Sequence, residues 1–157
     1  MTAQPFLIGQ GWQVVRDGND TARAIFDRHY SRRRYRDGRK PKLIVGPGRK
    51  LLLLRCDARA LFAWRKFKDD SGQQGVNCAI FRNEGDEVAS TLILEAEHLA
   101  RERWPAERFY TYVDPRQVKP TMVRGYPVWG FCFYRAGWSF AGITKKSRMH
   151  VLAKVSS

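Results

Sequence analysis

Three polar residues stand at the ends of apolar stretches, where a rigid scaffold can present chemistry to a ligand. His29 is the second-last residue of the helical run DTARAIFDRHY, Ser90 begins the run STLILEAEHLARERW, and Asp114 follows RFYTYV. A neutral imidazole suits a general base or a metal ligand, because its ordinary pKa is about 6.5. A carboxylate can orient that imidazole or bind a metal, and a hydroxyl can contact a transferred group. We therefore expect His29, Ser90 and Asp114 to converge on one cleft.

Each of these residues also has a purely structural interpretation. His29 would then lie on the apolar face of a helix, Ser90 would cap the helix that it begins, and Asp114 would shape a turn before a proline. The other two histidines favour structural roles, since His98 lies inside a helical run and His150 in an alternating strand pattern. Three scattered histidines do not predict a metal triad.

Further polar residues next to these positions could bind a substrate. Tyr30 and Ser31 directly follow His29, and a tyrosine ring there could stack on a base with about 1–3 kcal/mol. Asn77 and Asn83 flank a strand that we expect to be open on one edge, where an amide can orient a carbonyl or contact the edge of a base. Arg82 lies beside Asn83 and completes this set.

The segment 28–42, RHYSRRRYRDGRKPK, contains eight Arg and Lys residues and a single acid. The whole chain of 157 residues carries a net charge of +14. Such a field attracts polyanions, and each neutralised phosphate releases a counterion. A solvated loop or the mouth of a site for an anionic substrate could have the same composition. We expect an arm that binds double-stranded DNA through Arg32, Arg33, Arg34, Arg36, Arg39, Lys40 and Lys42.

The elements that must position these residues follow from the apolar periodicity. We expect helices over 20–30, 90–104 and 127–137, the second capped by Ser90 or Thr91. A polar loop should cover 82–90. Strands are predicted over 42–45, 50–56, 60–67, 75–81, 108–113, 139–144 and 149–155. No repeat or linker divides the chain, so the pattern predicts one α+β domain over residues 1–157.

The three cysteines and the hydropathy limit the class of protein. Cys56, Cys78 and Cys132 have no zinc-site spacing and lie in apolar surroundings, which predicts buried, reduced thiols. No apolar run approaches the ~20 residues that span a bilayer, so no membrane association is expected. The first residues lack the pattern of a signal peptide. These features predict a cytoplasmic protein.

The element order, together with FYRAGWSFAGIT near the end, resembles the GNAT N-acetyltransferase superfamily. That resemblance implies a mixed central sheet with a splayed strand pair, flanked by helices. It also implies a loop of pattern Arg/Gln-x-x-Gly-x-Gly/Ala that receives the pyrophosphate of coenzyme A. Arg82 and Gly85 match this loop in RNEGDE, whereas Glu87 replaces the last small residue. The tyrosine that serves many members as an acid corresponds to Phe133, with Tyr134 one position later.

Within that superfamily the chain resembles the Mom-type DNA modification proteins of phages and prophages. The resembling segments are HYS (29–31), FRNEG (81–85), the serine-led helix over 90–104, TYVDP (111–115) and GFCFYRAGW (130–138). Such proteins modify adenine in DNA. The resemblance implies that Ser90 faces the cleft, and it favours catalytic roles for His29, Asp114 and Tyr134.

These observations together predict a DNA-modifying transferase that acts on a nucleobase, with adenine as the best guess. The donor stays open, because three carboxylates around Gly85 should weaken binding of acetyl-CoA or another acyl-CoA. A metal ion near His29 is the other cofactor to consider. Two alternatives remain: an acyl-CoA-dependent N-acyltransferase for a small molecule or protein, and a non-enzymatic DNA-binding protein on the same fold. The oligomeric state is not predicted.

Overall fold

The computed structural model describes residues 11–29 and 42–155, and within these ranges the chain forms nine strands and three helices. The strands are β1 (Trp12–Val15), β2 (Arg49–Arg55), β3 (Ala60–Lys66), β4 (Val76–Asn83), β5 (Phe109–Val113), β6 (Thr121–Val123), β7 (Tyr126–Val128), β8 (Ser139–Ile143) and β9 (His150–Lys154). The helices are α1 (Asp20–Phe26), α2 (Ala89–Arg103) and α3 (Phe131–Arg135).

Seven strands form one mixed sheet in the order β1-β2-β3-β4-β5-β9-β8, while β6 and β7 form a separate hairpin. Within the large sheet only β4 and β5 are parallel neighbours. Apolar side chains alternate along β3, so Leu61 packs with α1 on one face while Phe62 and Trp64 pack with α2 and α3 on the other. The predicted single α+β domain is confirmed.

The first helix begins where the sequence predicts and ends earlier. The side chain of Asn19 accepts a hydrogen bond of 3.0 Å from the Ala22 amide, so it caps α1 as expected. The helix buries three apolar side chains, including Ile25, and closes at Asp27. His29 therefore lies in a turn beyond the helix and not on its face, which corrects the prediction of a helix over 20–30.

The long helix α2 confirms the predicted element to within one residue at each end. It buries the apolar stripe Leu92, Ile93, Ala96, Leu99 and Ala100. Its N-cap is Val88, and no side chain caps it, so the predicted cap by Ser90 or Thr91 is wrong. No helix in the described part of the chain is long and apolar enough to cross a membrane.

Two further expectations fail for identifiable physical reasons. Residues 42–45 form no strand, because the Asp17 carboxylate accepts the backbone amides of Ile44 and Val45 at 2.5 and 3.1 Å. That local bonding replaces a strand ladder. Cys56 is exposed in the turn after β2, while Cys78 is buried as expected and Cys132 is half-buried.

The predicted helix over 127–137 also shrinks, because its first part belongs to a hairpin. Arg124 and Gly125 have φ values of 52° and 82°, which is the geometry of a two-residue turn that matches strand twist. Gly130, with a φ of 75°, then starts α3. The short strand β1 and the hairpin were not anticipated from the sequence.

The buried carboxylate of Glu97 joins α2 to the side of the sheet formed by β9 and β8. Glu97 is fully buried and accepts the indole N–H of Trp138 at 3.1 Å. It also lies 2.8 Å from the ammonium of Lys154 and 3.2 Å from the guanidinium of Arg101. Removing one partner of a buried ion pair is costly, because the remaining charge stays desolvated.

We therefore expect Glu97→Ala to lower the free energy of unfolding by about 3 kcal/mol. Urea denaturation followed by circular dichroism would measure this loss. Glu102→Ala on the same helix is the matched control, because Glu102 is exposed beside His98 and should change stability by less than about 0.5 kcal/mol. Equal effects of the two substitutions would contradict a structural role for Glu97.

Candidate active site

The parallel strands β4 and β5 pair at three positions and then separate. The paired residues are Val76 with Phe109, Asn77 with Tyr110 and Cys78 with Thr111. At the last pair the Thr111 hydroxyl donates to the carbonyl of Cys78 at 3.0 Å, where a further strand amide would otherwise bond. Beyond it β4 continues to Asn83 and β5 to Val113 with no pairing between them.

A cavity of about 340 Å³ fills this fork. We call it the fork cavity. Residues 79–83 of β4 and 111–113 of β5 form two walls, Gln117 and Val118 form a third, and the start of α3 closes the fourth. His29 enters from the turn after α1. The volume lies in the range of small-ligand sites, about 300–1,000 Å³.

The fork cavity opens at the edge of the sheet where β4 and β5 end, here called the carboxyl edge. Strand register places the turn 56–59, the segment 84–88 and the turn 144–149 at this same edge. Ligands of open sheets bind outside the carboxyl ends of strands, which is consistent with this location.

His29 is held neutral inside this cavity. Only 8% of the residue is exposed, and its amide donates to the carbonyl of Phe26 at 2.8 Å, which fixes the turn. Burial, followed by the nearby Arg82 charge, lowers the imidazole pKa to about 4, against a hydrogen bond with the Phe81 backbone that raises it. The imidazole is therefore a proton acceptor at neutral pH.

An ion-pair network ties the His29 turn to the end of β4. Arg28 contacts both oxygens of Glu84 at 2.6 Å, and Arg82 donates to the same carboxylate at 2.6 Å. The hydrogen bonds from Arg28, followed by those from Arg82, lower the Glu84 pKa to about 2. Glu84 is thus compensated by two guanidinium groups, and Glu87 lies 3.3 Å from Arg55.

Asn83 shapes the loop RNEGDE (82–87), for which the sequence resemblance predicts a pyrophosphate site. Its side-chain oxygen accepts the Gly85 amide at 3.0 Å, and its side-chain nitrogen donates to the Glu87 carbonyl at 2.8 Å. Asn83 and Arg82 both line the fork cavity, as a substrate-binding role requires.

Asp114 lies behind the cavity wall and not in its lining. It is buried and accepts the amide and Nε of Arg116, both at 3.0 Å, and Nε2 of Gln117, also at 3.0 Å. The Arg116 bonds in particular lower the Asp114 pKa to about 2. This carboxylate holds the loop that carries Gln117 and Val118, which matches the turn interpretation.

The predicted convergence of His29, Ser90 and Asp114 is not observed, since His29 alone of the three lines the fork cavity. Ser90 is the second residue of α2. Tyr134 is a half-buried residue of α3, and burial raises the pKa of its hydroxyl. Neither residue lines the fork cavity. Asn77 lies on the paired part of β4 and is buried, and its side-chain oxygen has no hydrogen-bond partner among the described residues.

Sequence reasoning missed several cavity residues. Thr111 lies in the quoted segment TYVDP and could have been inferred from it. Cys132 likewise lies in the quoted segment GFCFYRAGW, whereas Gln117 and Val118 have no comparable signal, because they reach the cavity only through the tertiary fold. Burial raises the Cys132 pKa to about 11, so this thiol stays protonated and is not poised as a nucleophile.

The substrate-binding and DNA-binding residues predicted in the basic segment mostly lie outside the described residues. These are Tyr30, Ser31, Arg32, Arg33, Arg34, Arg36, Arg39 and Lys40. Lys42 is described and is exposed. In residues 11–29 and 42–155 no three His, Cys, Asp or Glu side chains are grouped to hold a metal ion, so the described part gives no support to a metal site at His29.

The lowered His29 pKa predicts a specific pH dependence of stability. The unfolded imidazole has an ordinary pKa of about 6.5 and binds a proton before the folded one does, so stability should fall as pH drops from 6.5 towards 4. The total loss should be roughly 3 kcal/mol. His29→Gln should lack this part of the pH dependence, whereas His98→Gln at an exposed position should keep it. Denaturation across this range, with NMR titration of the imidazoles, measures both; a His29 pKa near 6.5 would contradict the account.

Comparisons with models of protein families, with curated proteins and with solved structures found no match.

Proposed function

We propose that this chain is a DNA-modifying transferase on a GNAT-like fold that attaches a group to a nucleobase held in the fork cavity, with adenine as the best guess. The observation that carries the proposal is the neutral, buried imidazole of His29 in a cavity at the strongly basic carboxyl edge. The splayed pair β4 and β5, with helices on both faces of the sheet, supports the GNAT-like assignment.

The chemistry of His29 suits transfer to an exocyclic amino group. That amine is neutral, and it becomes strongly acidic once its nitrogen attacks an activated carbon. A nitrogen–carbon bond forms, the bond from that carbon to its leaving group breaks with both electrons going to the leaving group, and the proton passes to the imidazole. A base with a pKa of about 4 can accept a proton from such a cation and stays unprotonated at cellular pH.

The charge of the carboxyl edge suits a polyanionic substrate. Arg28, Arg82 and Arg55 lie there with acidic partners, and Lys145 and Lys146 lie exposed in the turn 144–149. The basic segment adds further cations. Enzymes that act on a base must first take it out of the stack, and the fork cavity could receive it.

The donor could be an acyl thioester such as acetyl-CoA. Glu84 and Glu87 are paired with arginines, so they repel an anion less than their sequence alone suggests. Asp86 remains exposed in the same loop. This compensation favours the alternative of an acyl-CoA-dependent N-acyltransferase for a small molecule or protein, which would use the same fork cavity.

We expect DNA from cells that express the chain to contain a modified nucleoside, detected by mass spectrometry after enzymatic digestion. His29→Gln should abolish it, because glutamine cannot take up the proton, while the melting temperature stays within a few degrees. His98→Gln is the matched control and should retain modification.

Two results would redirect the assignment. Unmodified DNA from cells that contain folded, DNA-binding protein would favour the non-enzymatic DNA-binding alternative. Unmodified DNA together with acylated small molecules or proteins would favour the acyltransferase. If cells that express His29→Gln contained as much modified nucleoside as cells that express the parent, His29 would have no role in the reaction.

A further inference from the structure

The last 43 residues of the chain have a one-sided charge. Between Pro115 and Ser157 the sequence contains eight Arg and Lys residues and no Asp or Glu. Six of the cations are exposed and have no ion-pair partner within residues 11–29 and 42–155: Lys119, Arg124, Arg135, Lys145, Lys146 and Arg148. An uncompensated basic surface of this kind suits a phosphate backbone.

The hairpin β6–β7 stands within this surface and adjoins the fork cavity. The chain leaves the cavity wall at Val118, forms the hairpin, and returns to the wall at Gly130. The hairpin is a sheet of its own, separate from the large one. Its tight turn places Arg124 at the tip.

The hairpin exposes two large apolar side chains. Tyr126 is 74% exposed and Met122 is 62% exposed. Val123 pairs with Tyr126, and Met122 with Pro127, so the two exposed side chains lie on opposite faces of the ribbon. A short paired ribbon presents an aromatic ring at low entropic cost, because the backbone is already ordered.

The turn 144–149 extends the basic surface on the other side of the cavity wall. Arg116 donates to the carbonyl of Ser147 at 3.0 Å and also binds Asp114, so this turn is tied to the loop that carries Gln117 and Val118. Lys145, Lys146 and Arg148 are therefore held at the carboxyl edge beside the fork cavity.

We propose that the hairpin β6–β7 is a DNA-opening element, in which Tyr126 inserts beside the target base of double-stranded DNA while Arg124, Lys119 and the turn 144–149 bind the flanking phosphates. Apolar and aromatic side chains that enter a base step unstack it, and the ring replaces the lost stacking. This inference rests on the proposed function, because it names how a base would reach the fork cavity.

The test compares the binding of two duplexes of the same sequence by fluorescence anisotropy. One is fully paired, and the other carries a mismatch that already weakens stacking at one position. Tyr126→Ala should weaken binding to the paired duplex by about 10-fold and should weaken binding to the mismatched duplex much less, because opening costs less there. Tyr126→Phe should restore binding, since the ring is what stacks.

Two controls distinguish stacking by Tyr126 from the effect of charge and from the effect of removing any exposed aromatic ring. Phe140→Ala removes another exposed aromatic ring, on β8 and outside the hairpin, and should leave both affinities unchanged. The double variant Lys119→Gln with Arg124→Gln should weaken both duplexes alike and lower the salt slope by about 2. Tyr126→Ala should leave that slope unchanged.

Equal loss on both duplexes, or no loss with Tyr126→Ala, would overturn the inference and leave the proposed function standing. Loss of self-association in size-exclusion chromatography without loss of DNA affinity would instead make the hairpin an interface between copies, and would also overturn it. Failure of the parent protein to bind duplex DNA would overturn both proposals. Tyr126→Ala could weaken binding to the paired duplex more than to the mismatched duplex while the parent protein leaves DNA unmodified. That combination would support the role of the hairpin and refute the transferase.

Discussion

The hydroxyl of Thr111 donates to the carbonyl of Cys78 at the last pair of β4 and β5, and beyond this bond the strands separate. Parallel strands in the middle of a sheet normally pair along their length, because unpaired backbone groups are costly when buried. Here β4 continues for five residues past the last pair. The space between the strands becomes the fork cavity, and the turn after α1, the loop after β5 and the start of α3 all pack around it. Each wall therefore depends on where the pairing stops.

Charged groups hold the walls in place from outside. Glu84 joins the His29 turn to β4 through Arg28 and Arg82, and Asp114 holds the loop after β5 through Arg116. The acids thus serve mainly internal pairing at the carboxyl edge. Six cations of the last 43 residues have no ion-pair partner within residues 11–29 and 42–155, so they remain available to a polyanion: Lys119, Arg124, Arg135, Lys145, Lys146 and Arg148. A neutral buried imidazole and a cationic rim can coexist because the rim disfavours a second positive charge inside the cavity.

The sequence predicted those elements that are determined by residues close together along the chain. The Asn19 cap, the stripe from Leu92 to Ala100 and the strands predicted from the apolar runs 50–56 and 60–67 are present, because capping, periodicity and local hydrophobicity decide them. Features set by distant partners were not predictable: Asp17 captures the amides that residues 42–45 would offer a strand, and Arg28 reaches Glu84 across 56 positions. His29 was found from its type, but Asp114 was misplaced, because the sequence cannot tell a turn carboxylate from one that faces a cavity.

The central claim is that the target base occupies the fork cavity, and filling the cavity tests it most directly. Val118 is half-buried in the cavity wall, on the loop that follows β5. The measurement is the modified nucleoside content of DNA from cells that express Val118→Trp, with duplex affinity measured on the purified protein. The account predicts unchanged duplex affinity and loss of the modified nucleoside, because the indole takes the place of the base. Modification at the parent level by folded Val118→Trp would contradict it.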